Sequence, residues 1–199
     1  MSELGFSKDF LEIELPSSLE DYQMWESLKD RVLLFNEEVD STIINKIVYY
    51  ILKWNKEDEG KPINERMEIK IYFSTNGGDV VAGMAAIDAI KASKTPVVGI
   101  GMNLVASMGV PIYTACHRKL SYPNTVFLIH DGHLGAQGSS NKVKSTMRFY
   151  ERLDSRVKKT IIENTKISEE LYDEKEDEEW YMFADEEGIE LGIVDEIIA

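Results

Sequence analysis

The sequence predicts an α/β fold built on a parallel, twisted sheet with one long projecting helix. Three observations carry this. Two apolar runs alternate with period two: residues 67–74, through Ile69, Ile71 and Phe73, and then residues 96–102. They are separated by a helix-length segment, and the order strand, helix, strand recurs along the chain, which implies parallel pairing with right-handed crossovers. Later, residues 142–164 keep helical spacing throughout, with Val143, Met147, Tyr150, Leu153, Val157 and Ile161 on one face. That helix exceeds what a compact domain needs, so it is expected to project or to join subunits.

Residues 1–18 scatter Phe6, Phe10, Leu11, Ile13 and Leu15 without sustained period and read as an arm that needs a surface to pack on. Residues 19–199 read as a single domain, without internal repeats or a dividing linker. A short apolar strand covers 31–35. After Val39 a helix begins, with Asp40 or Ser41 as N-cap and Ile43, Ile44, Ile47, Val48, Ile51 and Leu52 as its stripe. Residues 55–64 form a polar loop around Gly60 and Pro62. The strand at 67–74 leads through Asn76-Gly77-Gly78-Asp79 into a helix at 80–91 rich in small residues. The strand at 96–102 precedes a helix over 107–116, where Pro111 is tolerated because it lies in the first turn. Strands at 119–122 and 125–129 flank the turn Pro123-Asn124. Residues 173–179 hold six acids and one lysine. They read either as a solvated loop or as the source of a catalytic carboxylate. Residues 184–198 close the chain as a short helix and a strand-like run through Ile193, Val194, Ile197 and Ile198.

At 199 residues the chain can bury a substantial core, and its 43% apolar and 29% charged composition is that of a globular protein. The net charge of −14 disfavours nucleic acid and anionic membranes as partners. One cysteine, Cys116, excludes an internal disulfide and a cysteine-based metal cluster and fits a reducing compartment. No apolar run approaches a membrane span, and the N-terminus lacks the order of a signal peptide. A soluble, cytoplasmic protein is expected.

Three stretches can carry chemistry. Ser107 lies in Leu104-Val-Ala-Ser-Met-Gly109, at a strand-to-helix junction. There it is either a helix cap or a nucleophile whose oxyanion donor is the N–H of Met108. Gly77-Gly78 after a strand either makes a plain tight turn or lets the backbone approach a ligand. It is neither a dinucleotide fingerprint nor a P-loop, since the next glycine is Gly83 and no Gly-Lys-Ser/Thr follows. His130 ends an apolar strand beside Asp131-Gly132, placing it either for general-base work or as a satisfied strand histidine. His130 and His133 span a glycine turn rather than a helix face and have no evident third ligand, which argues against a metal site.

Together these stretches resemble the Clp protease proteolytic subunit family. The likeness runs over about residues 28–198. It rests on Leu28-Lys-Asp-Arg-Val-Leu-Leu-Phe35 with Glu38-Val-Asp40, and on residues 74–78 with Ala82-Gly83-Met84. It continues through Ala106-Ser-Met-Gly109, Pro123-Asn124, Phe127-Leu-Ile-His130 and the glycine segment 135–138. The resemblance implies the ClpP/crotonase-like fold of repeated ββα units and serine peptidase chemistry without a cofactor. Ser107 is then the nucleophile, His130 its base, and the Gly78 and Met108 N–H groups the oxyanion hole. Gly77 and Gly135 would hold an extended peptide by β-pairing. Two family prolines are replaced, by Asn76 and Gly132, so both loops are expected to be looser.

For the third member of the triad, a gapless count back from Gly192 puts Trp180 in the acid's place. A one-residue insertion brings in Glu179, and a rearranged loop brings in Asp177. Glu179 is the expected residue and Asp177 the alternative. The resemblance also implies a homo-oligomer of stacked heptameric rings, a tetradecamer. Residues 142–164 would join the rings, residues 1–18 would line the axial pore, and an AAA+ unfoldase would deliver unfolded polypeptide. Other readings within reach are a phage-type or unfoldase-independent peptidase of the same kind, and a non-catalytic subunit of a mixed ring.

Overall fold

A computed structural model describes residues 18–132, 135–175 and 177–198. The expected arm at 1–18 therefore falls outside the described residues except for Ser18. That serine caps a helix the sequence reading did not assign, α1 (Leu19–Lys29), by accepting from the Asp21 N–H at 3.0 Å. Leu19, Tyr22, Met24 and Trp25 on α1 are exposed, so no buried stripe announces the helix.

The sheet follows the expected parallel order. Strand β1 (Val32–Phe35) pairs with β2 (Ile69–Thr75), β2 with β3 (Val97–Ala106), β3 with β4 (Arg118–Ser121), and β4 with β7 (Glu196–Ile197), all in parallel. The crossover helices are α2 (Tyr49–Glu57), entered through a π-helical turn at Ile44–Val48, and α3 (Val80–Ala92). Neither Asp40 nor Ser41 caps the first, which begins at Ile43 without a side-chain cap; Asp40 instead holds the turn before it, its carboxylate accepting from the Thr42 N–H at 2.7 Å. The stripe on α2 is shifted from expectation. Ile43, Ile47, Ile51 and Trp54 are buried, whereas Ile44 and Leu52 are exposed, because the π turn rotates the face that meets the sheet. The core lies between these helices and the sheet, with Phe35, Ile69, Ile71, Phe73, Val97 and Ile90 almost fully covered.

Strand β3 is longer than its alternating pattern. The pattern ends at Met102 because Asn103 takes a left-handed backbone (φ 58), which asparagine tolerates, and donates from Nδ2 to Ser74 Oγ at 3.1 Å. The register with β2 jumps there, from Phe73↔Gly101 to Thr75↔Val105. Before the kink β3 pairs with β4. After it, Leu104–Ala106 pairs with a different strand, β5 (Val126–Ile129). The kink thus turns the end of β3 from β4 to β5, while Val105 stays paired with Thr75 of β2. Against β5 lies an antiparallel strand that the sequence reading missed, β6 (Trp180–Phe183), where only Met182 is buried.

The remaining helices are α4 (Gly109–Thr114), α5 (Ser140–Asn164) and α6 (Glu169–Lys175). On α5 the buried residues are Leu153, Thr160 and Ile161, so its first half projects from the body with Met147 and Phe149 exposed. The first three residues of the acidic run, 173–175, are helical rather than loop. Ser168 caps α6 by accepting from the Leu171 N–H at 3.1 Å, Glu169 and Glu170 suit its first turn, and Tyr172 is buried. No helix among the described residues is long and apolar enough to cross a membrane.

One buried ion pair ties β1 to the end of α2. Arg31, itself left-handed (φ 55), donates to Asp58 at 2.5 and 3.0 Å, and Asp58, fully buried, also accepts from Thr95 at 3.0 Å and Lys61 at 2.8 Å. These donors, the Arg31 guanidinium foremost, hold the Asp58 carboxyl well below the usual carboxylate range despite burial. Asp58→Ala leaves Arg31 buried without its partner and should lower unfolding free energy by about 3–5 kcal/mol at pH 7, read from urea denaturation. The folded carboxyl titrates below the unfolded one. Its contribution is therefore complete above the ordinary aspartate value of about 3.9 and is lost as pH falls through the depressed folded value. The stability gap between wild type and Asp58→Asn should accordingly narrow in acid and stay constant from pH 6 to 8.

Candidate active site

The kinked end of β3 delivers Ser107. Its N–H donates to the Leu128 carbonyl of β5 at 2.8 Å, and its own backbone is left-handed (φ 53). A non-glycine residue held there stores about 1–2 kcal/mol, and the conformation turns the side chain out of the strand at the start of α4. The same strand pair carries His130. Ala106 is in register with Leu128, and His130 follows β5 two residues later. Both side chains are half-buried and line one cavity of about 500 Å³. The Ser107 hydroxyl has no hydrogen-bond partner among the described residues.

The glycine turn lies against this serine. Gly77 (φ 90) and Gly78 (φ 145) both adopt backbones that side chains disfavour. A methyl group on Gly77 would sit 2.6 Å from Ser107 Cβ and 2.9 Å from Met108 N. One on Gly78 would collide with the Val39 carbonyl oxygen. The link to Val39 is made by the Val39 N–H to the Gly77 carbonyl (2.8 Å) and the Asp79 N–H to the Val39 carbonyl (2.7 Å). The Gly78 N–H is left outside that bridge. Thr75, a residue the sequence reading passed over, braces the turn. Its hydroxyl donates to the Glu37 carbonyl at 2.5 Å and accepts from the Gly77 N–H at 3.1 Å. Asp79 then caps α3, accepting from the Ala82 N–H at 2.6 Å. Met108 packs its side chain onto Gly83 of α3, where a methyl group would lie 2.5 Å from Met108 Cγ.

The two expected carboxylates are placed differently. The β5–β6 ladder ends with Ile129 opposite Trp180, so its continuation puts Glu179 across from His130. However, Glu179 accepts from the Tyr181 hydroxyl at 2.7 Å, and the Tyr181 N–H folds back on the Glu179 carbonyl at 3.2 Å. That hydrogen bond is the main reason the Tyr181 phenol is shifted upward. Asp177 instead lines the cavity with Ser107 and His130. Gly135 lies on the exposed connection into α5, and His133 falls outside the described residues. His117 is elsewhere, on the surface before β4. Its Nδ1 accepts from the Val97 N–H at 2.9 Å, and partial burial lowers its pKa. Cys116 is buried and its thiol is pushed up by desolvation, consistent with a packing residue.

The sequence reading also missed what α5 and α6 give the cavity. Asp154, Val157, Lys158 and Ile161 of α5 line it, joined by Tyr172 of α6. Their i, i+3, i+4, i+7 spacing was the available signal, since it marks one helix face.

Gly77→Ala tests the contact between the two turns. It should cost roughly 2–4 kcal/mol of unfolding free energy, from overpacking against the Ser107 turn and from strain at positive φ. Denaturation at neutral pH measures this, and a stability equal to wild type would mean the turns are not in contact.

Residues 17–199 match the Clp protease family model. The match spans nearly the whole chain and includes both turns and the strand that ends at His130. The chain belongs to the Clp protease family, a family of peptidases.

Proposed function

We propose that this chain is a serine endopeptidase subunit in which Ser107 is the nucleophile and His130 its general base. The observation that carries this is the left-handed Ser107, held by β5 and facing one cavity with His130. His130 removes the Ser107 proton as Oγ attacks the scissile carbonyl carbon, and the carbonyl electron pair moves onto oxygen. The N–H groups of Gly78 and Met108 receive that oxyanion. His130 then gives the proton to the leaving amine, the C–N bond breaks, and water hydrolyses the acyl-enzyme by the same route. Glu179 orients His130 in this reading, supported by its position across from the histidine. Asp177 is the alternative, supported by its place in the cavity wall. Gly77 and Gly135 take the extended substrate by β-pairing.

The assembly belongs to the same proposal. The subunits form stacked heptameric rings around a chamber in the cytoplasm, fed with unfolded polypeptide by an AAA+ unfoldase. The projecting first half of α5, with Met147 and Phe149 exposed, supports a contact between rings.

A fluorophosphonate probe should label the wild type at Ser107, and Ser107→Ala should abolish the label. His130→Ala should slow labelling about 10³-fold or more, the scale of losing a triad member. An unlabelled wild-type assembly would overturn the peptidase reading. Glu179→Gln should slow labelling more than Asp177→Asn, and the reverse order would move the orienting role to Asp177. Light scattering under native conditions should give a mass many times that of one chain, and a stable monomer would refute the rings.

A further inference from the structure

The β5–β6 ladder has two faces, and side chains alternate between them along each strand. Phe127 and Met182, a buried pair, look inward, and the pair Ile129 and Trp180 continues that face. Leu128 and Tyr181 pair on the opposite face, where His130 and Glu179 come next. Tyr181 is exposed. Its hydroxyl donates to Oε2 of Glu179 at 2.7 Å, and its N–H reaches the Glu179 carbonyl at 3.2 Å. Backbone and side chain of Tyr181 are thus both tied to the residue that stands across from His130.

Such a contact adds little to stability. Both residues are exposed, and a solvent-facing hydrogen bond mostly replaces one to water. What it changes is the freedom of the carboxylate. Glutamate has one more rotatable bond than aspartate, and an exposed glutamate has no packing to choose its rotamer. A carboxylate that orients a histidine has to be fixed before the reaction starts, by a neighbour that locks its side chain. The Tyr181 hydroxyl binds Oε2 alone, and a carboxylate accepts at both oxygens, so the capacity of Oε1 is untouched. The phenol stays a donor at neutral pH, because the hydrogen bond to Glu179, and then the charge of Glu179, holds its proton above the ordinary tyrosine value. We propose that Tyr181 is a positioning residue for the peptidase reaction, its hydroxyl fixing the Glu179 carboxylate so that the other oxygen faces His130. This rests on the reading in which Ser107 is the nucleophile and Glu179 orients His130.

The test follows fluorophosphonate labelling of Ser107 in the full-length assembled chain, over a range of probe concentrations. Tyr181→Phe removes the hydroxyl alone. It should lower the maximal labelling rate about ten-fold, the scale of one hydrogen bond to a charged group, and leave the half-saturating probe concentration unchanged. In a Glu179→Ala background the same substitution should change nothing, because the residue through which Tyr181 acts is gone. A slowing that persists in that background is a structural effect and overturns the inference. So does a wild-type rate in Tyr181→Phe, or a change in half-saturation with the maximal rate kept. A faster rate also overturns it, since the hydroxyl would then be withholding the carboxylate. The underlying reading fails separately. An unlabelled wild type overturns the peptidase and the inference together, and Glu179→Ala labelled at the wild-type rate overturns Glu179 as the orienting residue, and the inference with it. Labelling that depends on Glu179 but not on Tyr181 overturns the inference alone.

Discussion

The structure depends on a close approach of two backbone turns. The turn at Thr75–Gly78 ends β2 and the turn at Ala106–Met108 ends β3, and no side chain separates them. A methyl group on Gly77 would intrude on Ala106 O at 2.7 Å as well as on Ser107 and Met108. Parallel neighbours bring the carboxyl ends of their strands to one edge, so the approach follows from sheet topology once both turns are compact. What compactness requires is visible on each side. Gly77 and Gly78 take positive φ, and Ser107 takes it at an energetic cost that ordinary packing does not ask of a serine. The strain is held in place by the Ser107 N–H on the Leu128 carbonyl and by the Thr75 hydroxyl on the glycine turn.

A second consequence concerns the kink at Asn103. The left-handed asparagine divides the strand between two partners, β4 before it and β5 after it, while β2 stays alongside both parts. The partner of the second part, β5, runs directly into His130. One strand pair therefore carries both Ser107 and His130 at its end, which fixes their relative position through backbone hydrogen bonds rather than through flexible loops.

Much of this was legible in the sequence, for identifiable reasons. The parallel sheet, α3 and the long α5 follow from period, which neighbouring residues decide. Ser107, His130 and the glycine pair stood at element junctions, where residue type and position speak together. The readings that needed correction depend on contacts distant in sequence. The end of β3 was placed early because alternation breaks at Asn103, although pairing with β5 continues beyond it. Strand β6 went unassigned because all four of its residues are apolar, so the sequence shows no alternation although Trp180 and Met182 face inward. Helix α1 packs only Leu28 on the core, in part, and leaves its other apolar residues exposed, and the helical start of the acidic run depends on Tyr172 finding a place on the body. Arg31 and Asp58 are far apart in sequence, and nothing local to either predicts their pairing.

The two carboxylates expected to orient His130, Glu179 and Asp177, show where legibility stops. Backbone register is a property of strands, and it sets residue 179 across from residue 130 through four paired positions between β5 and β6. Where a carboxylate points is decided afterwards, by rotamers and by competing donors. Tyr181, two residues on, offers a hydroxyl to Glu179 that costs no backbone movement, while Asp177 reaches the cavity from the turn before the strand. In a segment where nearly every residue is acidic, composition cannot distinguish one carboxylate from its neighbours.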